Sequence, residues 1–143
     1  MVAEQKQIDL NVDNSVVEDF GDEWCRYDQS QLSDEEREYQ FQTYFVIFPM
    51  EKLSQSSEGF DAGCGTGRWA KLIAPKVGTL HCVEPSKAID VAKDNLKVSQ
   101  NCQFHKCTIG DMPFENCSMD FGYSLGVLHH IPDTQKAMQD CVD

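Results

Sequence analysis

The 143 residues make one domain of ordinary size, enough to bury a hydrophobic core but short for two. With 41% hydrophobic and 25% charged residues, the composition is that of a globular chain rather than a disordered or fibrous one. A formal net charge of -12 opposes binding to a phosphate backbone. The longest apolar run, near residues 44–50 and interrupted by Pro49, falls far short of the roughly 20 residues needed to span a bilayer. Neither nucleic acid nor membrane is therefore expected as a partner. The polar start, Met1 to Gln7, lacks the basic head and apolar run of a secretory signal, so a cytoplasmic location is expected. The seven cysteines form no CxxC pair and no repeated ligand spacing, and they read as free thiols with no metal site.

In chain order, residues 1–32 mix acids and amides with isolated aromatics and show no clean period; loops with a short helix are expected. Ser33-Asp34-Glu35-Glu36 offers a capping box, which predicts a helix running through Tyr39, Phe41, Tyr44, Phe45 and Phe48 to Pro49. Its aromatics read as core, with a minority available to cover a flat ring. The polar stretch 54–59 is the best internal boundary. Beyond it, short strand-like runs alternate with helical patterns, the signature of βαβ units and an α/β fold. Strands are predicted at 59–62, 79–83, 102–107 and 121–125. Helices are predicted after residue 67 as far as Pro75, from Ser86 through Ile89, Ala92 and Leu96, and over 133–142.

Gly63, Gly65 and Gly67 follow the first predicted strand and open a helix, a context in which glycines permit a tight turn and let a ligand lie against the backbone. A dinucleotide fingerprint needs its third glycine at position 68, where Arg68 stands, so a nicotinamide reading lacks a key residue. A P-loop would close with Lys and then Ser or Thr, and Arg68-Trp69 does not supply them.

The run Asp61-Ala62-Gly63-Cys64-Gly65-Thr66-Gly67 resembles motif I of the class I S-adenosylmethionine-dependent methyltransferases. The resemblance implies that the glycine turn passes under the methionine and ribose parts of the cofactor, with Asp61 helping to hold the methionine ammonium. Glu84, about twenty residues after the glycines, matches the family's ribose-binding acid. Gly110-Asp111-Met112-Pro113-Phe114 resembles the segment whose acid, here Asp111, accepts from the adenine amino group, with Met112 or Ile109 packing on the ring. The stretch 119–133, ending His129-His130-Ile131-Pro132-Asp133, resembles the small-molecule branch; Leu125 within it joins the implied cofactor contacts. His129 or His130 is a candidate base, alongside a packing or capping role for each. Phe20-Gly21-Asp22-Glu23-Trp24, followed by Arg26-Tyr27-Asp28, is similar to the start of a bacterial group whose N-terminal segment folds over the cofactor.

The implied architecture is a Rossmann-like parallel sheet with helices on both faces, comprising the first four strands of the family order 3-2-1-4-5-7-6. A helical segment, 1–53, is expected to cover the cofactor site of a partial binding domain, 54–143. The implied cofactor is S-adenosylmethionine, the acceptor a small molecule, and the exposed fourth-strand edge a route to a homo-oligomer. A non-catalytic binding or assembly module and a nicotinamide-dependent oxidoreductase are the alternatives.

Overall fold

A computed structural model describes residues 10–27, 29 and 31–143. The polar start at residues 1–7, and Asp28 of the N-terminal resemblance, lie outside them. Four strands, β1 (Glu58–Ala62), β2 (Thr79–Val83), β3 (Cys102–His105) and β4 (Phe121–Tyr123), form one parallel sheet in the order β3-β2-β1-β4. Helices α1 (Asn14–Arg26) and α2 (Asp34–Tyr44) precede the sheet, and α3 (Ala70–Ile73), α4 (Ala88–Asn95) and α5 (Thr134–Val142) follow strands within it. The four-stranded Rossmann-like α/β expectation matches this order. Among the described residues, no helix is long and apolar enough to cross a membrane.

Alternation along the strands sorts side chains to two faces, as the two-residue pleat requires. Leu80, Cys82 and Tyr123 join Phe41, Phe45, Trp69, Ile73, Ile89 and Leu96 in the larger core. Phe60 and Ala62 join Ile109 in a smaller cluster on the other face, with Met112, Phe114 and Val127 packed against it. Phe41 and Phe45 thus share a core with the strands, so residues on both sides of the predicted boundary at 54–59 fold together. Beside the smaller cluster, buried His81 is satisfied from both sides, Nε2 by Glu58 Oε1 at 2.8 Å and Nδ1 by His105 Nε2 at 2.9 Å. The ring of Phe114 covers both histidines.

Several boundaries differ from expectation for identifiable reasons. The predicted capping box forms, with Ser33 Oγ accepting from Glu36 N–H at 3.2 Å and the Glu36 carboxylate accepting from Ser33 N–H at 3.1 Å. Yet α2 ends at Tyr44 rather than running to Pro49. Val46 and Ile47 are poor helix formers, and the residue before a proline is disfavoured in helical geometry. The chain turns there, and Phe45 and Phe48 both set their rings edge-on to Tyr123. Pro75 does not stop a helix but sits in the first turn of a 3₁₀ segment, Ala74–Lys76, where its missing N–H costs nothing. The third and fourth strands end early, at His105 and Tyr123, because the following residues peel away to wall a cleft.

The largest departure is α1, thirteen residues long where only a short helix was expected. The Asp13 carboxylate caps it, accepting from the N–H groups of Ser15 and Val16. Gly21 brings the helix against the start of α4, since a Cβ there would lie 3.0 Å from the Ser86 Cβ. Asp22 and Lys87 pair across the same junction.

Candidate functional site

A cleft opens beyond the carboxyl ends of the strands, where the chain leaves β1 and β2 on one side and β4 on the other, the place where open α/β sheets bind ligands. Its floor is the turn after β1, Gly63 to Thr66. One wall is α1 and the residues before it, through Asn11, Val16, Val17, Phe20 and Trp24. The other walls are Glu84 and Pro85 after β2, residues 107–110 after β3, and Leu125 to Val127 with His130 after β4.

The floor is held by hydrogen bonds that leave little freedom. The N–H groups of Gly63 and Cys64 both donate to the Val83 carbonyl, at 2.8 and 2.9 Å, and Gly67 N–H donates to the Cys64 carbonyl at 2.8 Å. Asn95 Nδ2 donates to the Thr66 carbonyl at 2.9 Å. Gly65 N–H donates to Glu84 Oε2, and Ser86 N–H to Glu84 Oε1, each at 3.0 Å. Glu84 is buried, and its carboxylate ties the glycine turn to the end of β2.

The predicted residues do not all meet. Gly63, Gly65, Glu84, Leu125 and His130 line the cleft. Gly67 stands behind the floor, where a Cβ would fall 2.8 Å from Leu96 Cδ1; it lets the turn pack on α4. Asp61 lies beneath the floor, 2% exposed, with Tyr123 Oη donating to its Oδ2 at 3.0 Å. Burial, only partly offset by the Tyr123 hydrogen bond and reinforced by the Glu84 charge, pushes its pKa up to about 7. Asp111 closes the 3₁₀ turn Ile109–Asp111 beside the cleft, and Gly110 rather than Asp111 is in the wall. Of the two ring-packing candidates, Ile109 lines the cleft, whereas Met112 turns to the smaller core on the other face, beside Phe60 and Phe114. The histidines share a 3₁₀ turn, Leu128–His130, with ring centroids 3.8 Å apart, but only His130 reaches the cleft.

Missed from sequence are Asn11, Val16 and Val17, whereas Phe20 and Trp24 belong to the segment that the resemblance set over the cofactor. Val16, Val17, Phe20 and Trp24 recur at helical spacing after the capping residue Asp13, a signal blurred by the acids and amides around them. The Phe20 ring packs edge-on to His130, 4.7 Å between centroids, and Trp24 lies over Gly65. Asn11 and Asp133 exchange two hydrogen bonds, Asn11 Nδ2 to the Asp133 carbonyl at 2.8 Å and Asp133 N–H to Asn11 Oδ1 at 2.7 Å, which strap the chain before α1 across to the start of α5.

Residues 60–143 match the family model described as a methyltransferase domain. A curated relative from Bos taurus named "Probable tRNA methyltransferase 9B" is 30% identical over 79 residues, covering 55% of this chain and only 16% of that protein. Among solved structures, the YcgJ protein of Bacillus subtilis superposes with a TM-score of 0.62 at 23% identity, over 68% of this chain and 44% of that one. Phosphoethanolamine N-methyltransferase 1 of Haemonchus contortus, solved with phosphoethanolamine and S-adenosylhomocysteine, gives 0.58 at 14% identity, over 79% and 26% of the two chains. The two structural likenesses speak to the fold.

Proposed function

Because the chain belongs to the methyltransferase domain family, we propose that its cleft binds S-adenosylmethionine and that the protein transfers the cofactor's methyl group to a small-molecule acceptor. The observation that carries this reading is the buried Glu84 carboxylate, locked to the glycine turn at Gly65 with acceptor capacity left for a ligand's hydroxyls. The rest of the cleft fits the same ligand. A Cβ at Gly126 would meet nothing within 4 Å, so the wall opposite α1 has open space in front of it. Ile109, Val16 and Val17 offer apolar surface for a flat ring, with Asp111 beside it to accept from an amino group.

When bound, the cofactor supplies a methyl group on a positively charged sulfonium that is a good leaving group. The chain's own work is then to hold the reacting atoms in line and to keep water out, with α1 and Phe20 as the cover. A protonated nucleophile also needs a base, and His130 is the imidazole that faces the cleft. The cleft walls carry three acids, Asp13, Glu84 and Asp140, against one arginine, Arg68, and the chain as a whole carries -12; both favour a small acceptor over a polyanion. The same reading has the protein working in the cytoplasm, where cysteine thiols are kept reduced.

Calorimetric titration with S-adenosylmethionine, S-adenosylhomocysteine and NAD tests the cofactor, and NAD binding with no signal from the other two would refute it. Methyl transfer to a panel of small amines, alcohols and thiols, with tRNA as a further arm, tests the acceptor. Turnover on tRNA alone would replace the small-molecule reading. Binding without turnover on any arm would favour a non-catalytic module.

Glu84→Ala should weaken S-adenosylmethionine binding by roughly tenfold to a hundredfold, since it removes an acceptor of charge-assisted hydrogen bonds and frees the turn. Glu84→Gln should do nearly as badly. Both carboxylate oxygens accept backbone N–H groups, so one position would receive an amide donor facing a donor. Wild-type affinity in Glu84→Gln would show that Glu84 does not shape the site.

Among the described residues β4 pairs with β1 alone, and its outer edge offers backbone groups to a second copy. Self-association through that edge should appear in light scattering as a mass that rises with concentration; a constant monomer mass would exclude it.

A further inference from the structure

We propose that Tyr123 is a positioning residue that acts through Asp61, aligning its carboxyl for the cofactor's ammonium group and making cofactor affinity depend on pH. The proposal rests on the reading of the cleft as an S-adenosylmethionine site. Asp61 and Tyr123 are direct partners in the parallel register of β1 and β4, so their side chains leave the sheet on the same face. The phenol is fixed by its neighbours: Phe45 stands edge-on at 5.1 Å and Phe48 at 6.2 Å, and the ring is 8% exposed. Its hydroxyl therefore has one place to point, at Asp61 Oδ2.

What the fold withholds from Asp61 matters as much. The backbone N–H groups just beyond it, those of Gly63 and Cys64, both donate to the Val83 carbonyl and cannot turn back to the carboxylate. Among the described residues no Lys, Arg or His pairs with it. The ionisable groups that face it are Tyr123 from β4, the thiols of Cys82 from β2 and Cys102 from β3, and Cys64 and Glu84 at the floor of the cleft. None of these is a cation, and Glu84 opposes a second negative charge.

A carboxyl so placed is stable as the neutral acid, or as the anion beside a cation, and unstable as an unpaired anion. Arrival of an ammonium group in the cleft above the floor selects the ionised form: the O–H bond of the Asp61 carboxyl breaks, its proton passes to solvent, and the carboxylate is left with a cation to offset it. Tyr123 supports the ionised form through its hydrogen bond and lowers the pH at which the exchange is complete.

The decisive comparison is wild type against Tyr123→Phe, which keeps the ring in its aromatic setting and deletes only the hydroxyl. S-adenosylmethionine affinity is measured from pH 6 to 9 by calorimetry, and the Asp61 carboxyl carbon is titrated by NMR in the cofactor-free protein. The wild type should gain affinity up to tenfold per pH unit on the acid side of the carboxyl's midpoint, until the cofactor's own amino group begins to lose its proton near about pH 8. In Tyr123→Phe both midpoints should move up by about one pH unit, so affinity falls roughly tenfold below wild type near neutrality and the deficit narrows toward pH 9, the cofactor's own titration being common to both proteins. An unmoved NMR midpoint, or a loss of affinity equal at every pH, would overturn the proposal, since a merely structural tyrosine would weaken binding without changing its pH profile. Failure of the wild type to bind at any pH would overturn the cofactor reading itself, and this proposal with it. Binding without pH dependence would overturn this proposal alone.

Discussion

Gly63→Ala should abolish detectable S-adenosylmethionine binding and lower stability by about 2–5 kcal/mol, the combined scale of a strained backbone and an overpacked contact. Gly63 has φ +80°, a conformation that costs an L side chain energy wherever it occurs. A Cβ there would also fall 2.4 Å from Val127 Cγ2 and 2.8 Å from Cγ1, distances at which something must move. The glycine cannot yield easily, because its N–H and that of Cys64 are both committed to Val83. Val127 would have to give way, and it packs against the smaller core while forming part of the cleft wall. Gly126→Ala is the matched control. It too has a positive φ, +73°, but its Cβ would meet open space, so it should cost only about 1–2 kcal/mol and leave the floor of the cleft intact. Urea denaturation and calorimetry on both variants decide the matter. If Gly63→Ala proved no worse than Gly126→Ala in either measurement, close approach at the turn would not be what the glycine provides.

Asp61→Asn should stabilise the cofactor-free protein by up to ~4 kcal/mol at and above pH 7, while weakening cofactor binding. The sign follows from linkage. Burial raises the Asp61 pKa from 3.8 to about 7 in the folded chain, so between those values the native state holds a proton that the unfolded state has lost. Stability from this group is therefore present in full below pH 3.8, declines by about 1.4 kcal/mol per pH unit as pH rises, and is gone once pH passes 7. This is opposite to a carboxylate in a salt bridge, which loses its contribution as pH falls. Asparagine does not titrate and can still accept from Tyr123 Oη, so it escapes the loss. The difference between variant and wild type in urea midpoints should grow from about pH 4 to pH 7 and then stay level. A difference equal at pH 4 and pH 8 would mean that Asp61 is not held protonated. The expected gain in stability at a loss of binding is the trade-off seen where a buried charge is kept for a ligand.

The sheet could be read from the chain because each strand is bounded by its own punctuation. Thr79–Val83 is found where predicted, since both its faces are buried and Gly78 and Pro85 close it off. The cap of α2 was equally plain, being a contact between residues three apart. The ends of β3 and β4 were not. Cys107 and Leu125 are as compatible with a strand as their neighbours, and they leave the sheet to join the walls of the cleft. Helix α1 was obscured because its apolar side faces a cleft rather than a packed core. Its stripe is correspondingly sparse, with Gly21 its one buried residue.

By itself, the sequence determined the βαβ order, the glycine turn and the acid at the end of β2, all of which depend on residues close together along the chain or on a pattern the strands repeat. Only the tertiary structure decided which candidate residues share the site. It put His130 rather than His129 in the cleft, turned Met112 to the far face, and placed Asp61 beneath the floor against Tyr123, 62 residues away. Those outcomes depend on strand register and on the face each side chain takes, and a shift of one residue reverses the face without altering the composition or motif that a sequence displays.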